Sequence, residues 1–305
     1  MITYLKRNEI NDDRWNDALA KSSNALIYAT TYYLDVVSPN WGALIADDYL
    51  AIMPVTKNNK FGINYLFQPY LTQQLGVFSI QKIIKADQVK DFIQAIPSQF
   101  RFIEINLNSK NTITSLQGNF NLTERINYEL NLNKPFEELK KNCSDNILRN
   151  YKKALQHKLS IVENLPETDF INFCEQHTSQ LPHKKSILIL LQKLVKTILS
   201  HNTGQLIGVI DKEGNLCAVN FFLYGYKRVI NLFPVSSKQG IETGAMTFLL
   251  FHQIMKQSGT ENVFDLEGSM IEGVARFYRS FGAEEKKYYH LKQNLLPWYL
   301  KWTKN

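Results

Sequence analysis

The chain has 305 residues, of which 44% are hydrophobic and 21% are charged, and its formal net charge is +7. This composition is typical of a soluble globular protein, and the length predicts two domains, since single cores stop growing at roughly 250–300 residues. The sequence contains no apolar run near the roughly 20 residues of a membrane helix, and its N-terminus lacks the apolar core of a signal peptide. We therefore expect a cytoplasmic protein without a membrane span.

The cysteines and histidines exclude several classes of site. Cys143, Cys174 and Cys217 are odd in number and far apart, which favours a reducing compartment and argues against a disulfide framework or a zinc site. His177 and His183 flank a Leu-Pro turn without the spacing of metal ligands, so we predict no metal site. Hydrolase and phosphate-loop motifs are missing from the sequence. Residues 136–305 carry most of the positive charge, which suits either an anionic ligand or a solvated basic surface.

The two halves of the chain have similar patterns. Periodicity predicts helices at 11–22 and 86–96 with a strand at 101–107, and later helices at 169–179, 186–200 and 243–256. Each half also contains a predicted three-strand meander, from Gly42 to Gly76 and from Gly204 to Gly240, whose third strand ends in Phe near Pro. This similarity favours two copies of one fold, with chance similarity between two antiparallel meanders as the alternative.

Between the halves lies a predicted basic helix within residues 136–158. Ser144 and Asp145 can cap it, and Ile147, Leu148 and Tyr151 lie on one apolar side. Six basic residues outnumber three acidic ones in this segment: Lys140, Lys141, Arg149, Lys152, Lys153 and Lys158. The segment is either a solvated linker helix or a surface for an anionic partner.

The last third of the chain is the most informative. Residues 263–267 have the composition of a buried strand and run into the turn Gly268-Ser269. Residues 273–282 follow as an amphipathic helix that ends at Gly282. A further strand is predicted at 287–292.

This strand, helix and strand, with Phe-Asp-Leu-Glu-Gly-Ser at 264–269 and Tyr-x-x-Phe-Gly at 278–282, resemble the C-terminal part of the GNAT acyltransferases. The sequence of these segments is most similar to the FemABX-type branch, which contains tandem-GNAT peptidyl and aminoacyl transferases. The resemblance implies an α+β fold of two tandem GNAT-like domains, each a mixed, mostly antiparallel sheet flanked by helices. The implied domains are a degenerate copy at 1–135, a basic connecting helix at 136–160 and a C-terminal copy with the active site at 161–305.

The resemblance also implies an activity. It is the transfer of an acyl or aminoacyl group, from a thioester such as acyl-CoA or from aminoacyl-tRNA, to an amine of a small molecule or peptide. A catalytically inactive GNAT-like binding protein is the alternative, and a nucleic-acid-binding module has less support.

In GNAT enzymes the donor's pyrophosphate lies at the N-terminus of the helix after the fourth strand, at the motif Gln/Arg-x-x-Gly-x-Gly/Ala. Gln239 and Gly244 match this motif, but Glu242 stands where its first glycine belongs. A carboxylate there repels a pyrophosphate, so coenzyme A binding is in doubt. The residues implied to bind the donor are Val235, Ser236, Ser237, Gln239, Gly240, Thr243, Gly244 and Ala245.

The catalytic residues implied by the resemblance are Tyr278 and Glu267. Tyr278 matches by spacing the tyrosine that donates a proton to the departing thiolate in many GNAT enzymes, where FemABX ligases often carry a lysine. Its alternative is a packing aromatic, and we expect the hydroxyl to face a cleft between the halves. Glu267 is the best candidate for the base that deprotonates the amine, with a turn-capping acid as its alternative. Arg276 and Arg279 flank Tyr278 and could bind a phosphate, or lie exposed.

The first half lacks a donor motif after Pro69. We therefore expect the first copy to have lost donor binding and to help shape the acceptor pocket. Gln73 and Gln74 are its candidate substrate-binding residues, unless the segment is simply a packed loop.

Overall fold

The computed structural model describes residues 1–60, 62–113, 116–268 and 270–298. The chain divides into two compact units: Met1–Arg125 with Lys287–Asn305, and Ile126–Lys286. Each unit combines helices with β-sheet, and each contains its own cluster of buried apolar side chains. Within the described ranges, we find no helix with the length and apolarity to span a bilayer.

The first unit contains three helices and most of the early strands. The helices are α1 (Asp12–Lys21), α2 (Thr31–Val37) and α3 (Ala86–Gln94). The strands are β1 (Ile2–Lys6), β2 (Gly42–Ala46), β3 (Ala51–Val55), β4 (Lys57–Lys60), β5 (Ile63–Phe67), β6 (Phe78–Ser79), β7 (Phe102–Asn106) and the first half of β8 (Phe120–Asn131). Helix α1 begins where Asn11 accepts a hydrogen bond from the backbone nitrogen of Arg14, and it buries Trp15 and Leu19.

Strands β1, β2, β3 and β6 form one antiparallel sheet in that order. Strands β4 and β5 form a hairpin, and β5 runs parallel to β7 with Tyr65 opposite Phe102. The core of this unit includes Met53 from β3, Phe92 from α3 and Ile103 from β7. Helix α3 thus covers the sheet with its buried face, which explains the apolar periodicity that predicted it.

The second unit contains the remaining elements. Its helices are α4 (Phe136–Lys141), α5 (Asp145–Gln156), α6 (Glu167–His177), α7 (Lys184–Ser200), α8 (Lys238–Thr243), α9 (Ala245–Gln257) and α10 (Glu272–Arg279). Its strands, after the end of β8, are β9 (Ser160–Glu163), β10 (Gly204–Ile210), β11 (Leu216–Gly225), β12 (Arg228–Asn231), β13 (Val235–Ser236), β14 (Val263–Asp265) and the beginning of β15 (Glu284–Asn294). Strands β8, β14, β12, β11, β10 and β9 follow one another across the sheet, and β13 pairs with β11.

The two units repeat one topology. In each, an opening strand and two helices precede the meander, and the opening strand pairs antiparallel with the first meander strand, as β1 with β2 and β9 with β10. In each, the last meander strand runs parallel to the strand after the next long helix, as β5 with β7 and β12 with β14. The predicted repeat, with 42–69 equivalent to 204–234, is confirmed by these pairings.

The bounds of the two compact units differ from those of the predicted domains. Residues 136–160 do not form a separate connecting helix, because Leu139, Ile147 and Ala154 of α4 and α5 are buried in the core of the second unit. Residues 290–294 of β15, expected in the second domain, pair with β7 and belong to the first unit. Backbone pairing between positions this far apart in sequence leaves no local pattern that marks a boundary.

Two predicted elements are shorter in the structure. The helix expected at 243–256 begins at Ala245, because Gly244 has a left-handed conformation with φ of 77° and separates α9 from the short α8. The strand expected at 263–267 ends at Asp265, because Glu267 also adopts a left-handed conformation. Both interruptions lie beside the candidate site.

Candidate functional site

Strands β12 and β14 pair over three residues and then separate. Arg228, Val229 and Ile230 lie opposite Val263, Phe264 and Asp265 in parallel register. Beyond this point the backbone nitrogen of Leu266 donates to Tyr128, and the backbone nitrogen of Leu232 donates to Phe221, so each strand continues with its other neighbour. Only the side-chain amide of Asn231, 3.4 Å from the carbonyl oxygen of Leu266, connects the two strands there in the described hydrogen bonds.

A chain of buried polar side chains leads into this separation. Nδ2 of Asn220 donates to Oδ1 of Asn231 at 2.6 Å, and Nδ2 of Asn231 donates to the hydroxyl oxygen of Tyr278 at 3.2 Å. Since Asn220 occupies the amide oxygen of Asn231, the nitrogen must face Tyr278. The phenol oxygen therefore accepts a hydrogen bond, and its own proton is left to be donated elsewhere.

Tyr278 is deeply buried. Its side chain is only 8% exposed, and its ring lies 6.3 Å from the ring of Tyr128 in the core of the second unit. Burial raises the pKa of the phenol, and the negative charge of Glu267 raises it further, so the hydroxyl stays protonated well above neutral pH. The ring thus has a packing role, while the proton-donor role of the hydroxyl stays a prediction.

Glu267 is held in an uncommon backbone conformation next to this tyrosine. Its φ is 56°, a left-handed value that costs a non-glycine residue on the order of 1–2 kcal/mol. Its backbone nitrogen donates to Oδ1 of Asp265 at 3.0 Å, which helps to hold the turn. A β-carbon at Gly268 would overlap the carbonyl oxygen of Ile126, so the turn needs glycine there. Ser269, predicted in the same turn, lies outside the described residues.

A buried charged cluster lies just before the strands separate, and the sequence analysis missed it. Arg228 Nη1 is 2.7 Å from Oε1 of Glu129 and 2.7 Å from Oδ2 of Asp265. Nδ2 of Asn127 donates to the other oxygen of Asp265 at 3.0 Å. The cluster joins β8, β12 and β14, and fixes the point from which Leu266 and Glu267 continue.

Burial dominates the electrostatics of this cluster. It raises the pKa of the Asp265 carboxyl, and Arg228 opposes that rise only in part. Burial also lowers the pKa of Arg228, but Asp265 and Glu129 outweigh it, so the guanidinium pKa is raised. The charged Arg228 beside buried Val229 and Ile230 was the available signal, and its partners lie too far away in sequence to be identified.

The predicted donor segment uses much of its backbone within the chain. The backbone nitrogen of Ser237 donates to Cys217, and that of Gly240 donates to the hydroxyl oxygen of Ser237 at 3.0 Å. The backbone nitrogens of Ile241 and Gly244 donate to Ser237 and Ile241. A β-carbon at Gly240 would overlap the carbonyl oxygen of Cys217, so this glycine allows α8 to lie close against β11.

The other predicted donor residues are also engaged. Val235 and Ser236 pair with β11, and Nε2 of Gln239 donates to Asp211 at 2.9 Å. The hydroxyl of Thr243 donates to the carbonyl oxygen of Gln239 at 2.9 Å, and Ala245 is fully buried. Glu242, which departs from the family motif, has an exposed side chain. These contacts hold the segment against β11 and Asp211, and donor binding by it stays a prediction.

Arg276 and Arg279 lie one turn apart on α10, and both are exposed whereas Tyr278 is buried. They line a crevice of about 560 Å³ together with Ser144, Asn146, Ile147, Gly273, Phe277 and Ser280. The backbone nitrogen of Ser144 donates to Ser280 at 2.9 Å, which joins the start of α5 to the end of α10. Arg279 pairs with Glu272 at 2.6 Å and with Glu285 at 3.8 Å, whereas Arg276 forms no ion pair with any described residue. The structure thus groups Arg276 with the start of α5, while Arg279 contacts both this crevice and Glu285.

The exposed side of α5 adds further positive charge. Arg149, Lys152 and Lys153 follow one another at helical spacing, and all three are exposed. None of them forms an ion pair with a described residue, and Lys141 and Lys158 extend the same segment. An anionic partner would find several unneutralised cations here.

Gln73 and Gln74 of the first unit are occupied by contacts with each other and with the segment after β7. Nε2 of Gln74 donates to Gln73 at 2.7 Å, and Oε1 of Gln74 accepts from the backbone nitrogen of Ser109 at 2.9 Å. Leu75 forms a parallel bridge with Leu107, directly beyond β7. The loop thereby fills the position next to β7 that corresponds to the separation beside β14. Substrate binding by these glutamines stays a prediction.

Neither a protein-family model nor a curated protein sequence matches the chain. The structure is similar to that of FemX, with a TM-score of 0.65 at 9% identity over 92% of this chain and 96% of that chain. It is also similar to a tandem GNAT protein from the clavulanic acid biosynthesis pathway, with a TM-score of 0.56 at 7% identity over 97% of this chain and 99% of that chain. For L-PGS from Bacillus licheniformis the TM-score is 0.53 at 10% identity, over 96% of this chain and 94% of that chain.

These likenesses show the fold. The chain has a tandem GNAT fold of the FemABX type, and the predicted α+β class with two GNAT-like domains is confirmed. Among the residues with described positions, no group of three or more His, Cys, Asp or Glu side chains is placed to hold a metal ion.

Proposed function

We propose that this chain is an N-acyltransferase that moves an acyl or aminoacyl group from an activated ester to the amine of a small molecule or peptide. The observation that carries the proposal is the hydroxyl of Tyr278, held by Asn231 at 3.2 Å beside the separation of β12 and β14. One partner satisfies a packed tyrosine hydroxyl, whereas here a second amide, Asn220, also fixes the orientation of the first. The fold supports the same class of reaction, because FemX and the tandem GNAT protein share it.

In the proposed reaction the amine nitrogen attacks the donor's carbonyl carbon and a C–N bond forms. The bond from that carbon to the leaving oxygen or sulfur breaks, the amine loses one proton and the leaving group gains one. Glu267 takes the proton from the amine, and Tyr278 gives its proton to the leaving atom. The protonated Glu267 then returns a proton to the phenolate, so both residues recover their starting states.

The contacts of the donor segment favour an aminoacyl ester of tRNA over acyl-CoA. A pyrophosphate needs free backbone N–H groups, but those of Ser237, Gly240, Ile241 and Gly244 are already donated within the chain. Four of the segment's backbone N–H groups are therefore not free to bind a pyrophosphate. A nucleic acid can instead bind the exposed cations Arg149, Lys152 and Lys153 through its phosphates. The raised pKa of Tyr278 also suits a sugar alkoxide, which is a stronger base than a thiolate.

The test uses bulk tRNA charged with radiolabelled amino acids, together with a panel of amines and lysine-containing peptides. Mild alkali removes label from esters and leaves amides intact, so alkali-stable label on an acceptor measures amide formation. We expect such label with charged tRNA and none with labelled acetyl-CoA. Calorimetry measures the binding of acyl-CoA to the wild-type protein and to Glu242→Gly. Binding to either form would favour an acyl thioester over charged tRNA as the donor.

A catalytically inactive binding protein is the second candidate, favoured by the deep burial of the Tyr278 ring and by the engaged donor segment. It predicts that charged or uncharged tRNA binds and raises the unfolding temperature, by mass action, without any transfer. Binding without alkali-stable label across the panel would support this candidate over the enzyme.

A further inference from the structure

The first unit contains a second crevice, and none of its lining residues belongs to the candidate site. It has a volume of about 500 Å³ and lies at the C-terminal end of α3 and the start of β7. Its walls come from residues 93–103, 117–120 and 293–295. The volume is in the range of about 300–1,000 Å³ that is usual for small-molecule sites.

The walls of this crevice are largely apolar. Ile93, Phe100 and Ile103 are almost completely buried beneath it, and the apolar surface open to a ligand comes from the half-buried Pro97 and Phe120 and the exposed Leu295. The polar groups are the hydroxyl of Ser98 and three side-chain amides, those of Gln94, Gln117 and Gln293. Walls of this composition suit an aliphatic body rather than a sugar or a nucleotide.

Arg101 is the only charged side chain among the described residues that line the crevice. Its backbone is fixed on both sides, because its nitrogen donates to Asn64 at 3.2 Å and its carbonyl oxygen accepts from Leu295 at 2.8 Å. The guanidinium forms no ion pair with a described residue, and the lining residues include no acid. A guanidinium remains charged at any physiological pH and can bind a carboxylate through two parallel hydrogen bonds.

We propose that this crevice binds a small amphipathic carboxylate, with its aliphatic body against Pro97, Phe120 and Leu295 and its carboxylate on Arg101. The proposal is independent of the transferase reaction, since its residues belong to the first unit and none of them is placed in the candidate site. The first unit, which lacks a donor motif, thereby has a ligand of its own.

The test is calorimetry of the whole chain with decanoate, below the concentration at which it forms micelles, compared with decanol and decylammonium. We expect decanoate to bind at least about tenfold more tightly than decanol, because a charge-assisted hydrogen bond contributes more than a neutral one. Decylammonium should bind most weakly, since it brings a cation to a cation. A free carboxylate is thereby distinguished from an uncharged lipid chain.

Two charge-removing variants complete the experiment. Arg101→Gln should weaken decanoate about tenfold and leave decanol unchanged, whereas Lys85→Gln, at the other end of α3, should change neither. Leu295→Asn introduces a polar group into the accessible wall and should weaken both ligands, and its circular dichroism spectrum checks that the variant folds. Equal binding of decanoate and decanol, unchanged binding of decanoate to Arg101→Gln, or no binding at all would overturn the proposal.

Discussion

The side-chain nitrogen of Asn231 lies 3.2 Å from the hydroxyl oxygen of Tyr278, and the side-chain oxygen of Asn231 is held by Asn220 at 2.6 Å. This order fixes the direction of every hydrogen bond in the chain, because an amide oxygen can only accept. The proton of Tyr278 must therefore point away from Asn231. A core that required only apolar volume would not place three polar side chains in a row.

The first prediction concerns the stability of this chain of amides. Asn231→Leu leaves the donor of Asn220 without its acceptor in the core, and we expect a loss of about 1–3 kcal/mol in the free energy of unfolding. The double variant Asn220→Leu with Asn231→Leu removes both polar groups, so it should lose less than the sum of the two single variants. Urea unfolding measures all three variants. Strictly additive losses would contradict direct coupling of the two amides.

The second prediction separates packing from ligand binding at Gly240. A β-carbon there would overlap the carbonyl oxygen of Cys217, so Gly240→Ala should destabilise the ligand-free protein by about 1–3 kcal/mol. Gly273→Ala is the matched control, since it lies in α10 with no heavy atom within 4 Å of the added carbon. It should be neutral or stabilise by up to about 1 kcal/mol. Thermal unfolding of Gly240→Ala identical to that of wild type would instead favour a role in donor binding.

The same glycine shows where sequence analysis reaches its limit. The periodicity of 273–282 predicted α10 because buried Ala275 and Tyr278 leave a local trace, and the repeated meander predicted the tandem fold. A glycine in a helix start is compatible both with an approaching anion and with a neighbouring strand. Only the position of Cys217, more than twenty residues earlier, decides that it packs.

The charged cluster could not be predicted for a related reason. Arg228, Glu129 and Asp265 meet because β8, β14 and β12 are adjacent in a particular register. A one-residue change of register would turn these side chains to the other face of the sheet. Strand composition indicates that strands exist, but it does not encode which residues lie opposite one another across a hundred positions.

The third prediction concerns this cluster and its pH dependence. Arg228→Gln leaves two carboxylates without their cation, and removing one partner of a buried pair costs about 3–5 kcal/mol. The pKa of Asp265 in the folded protein is already raised above its ordinary value. The folded state therefore loses stability as the pH rises from the ordinary pKa of the carboxyl through its raised pKa. Without Arg228 that pKa rises further, and the difference from wild type should be larger at pH 7.5 than at pH 5.

Chemical unfolding at both pH values measures this difference. Arg14→Gln is the control, because Arg14 pairs with Asp48 in an exposed position and its loss should have little effect at either pH. A deficit for Arg228→Gln that is the same at pH 5 and pH 7.5 would show that the Asp265 carboxyl does not titrate in this range.

The fourth prediction concerns the basic face of α5. Replacing Arg149 and Lys152 by Gln should weaken the binding of tRNA and reduce the slope of log K against log salt by about one for each phosphate that is no longer neutralised. A matched pair on α7, Lys185 and Lys193, is also exposed, and its replacement should leave the slope unchanged. Filter binding at several salt concentrations gives the slopes. Equal slopes for both double variants would remove α5 from the donor site.

The most direct test of the proposed transfer compares two buried tyrosines of one core. Once the assay with charged tRNA has identified a donor and an acceptor, single-turnover rates are measured for Tyr278→Phe and for the control Tyr128→Phe. In the wild-type protein the hydroxyl of Tyr128 donates to Glu285 at 3.3 Å, and its ring lies 6.3 Å from that of Tyr278. Tyr278→Phe should slow the chemical step by about 10²–10⁴-fold with donor affinity unchanged, and Tyr128→Phe should keep the wild-type rate. Full turnover by Tyr278→Phe would contradict the account, because the hydroxyl would then be only a packing group and the leaving atom would take its proton elsewhere.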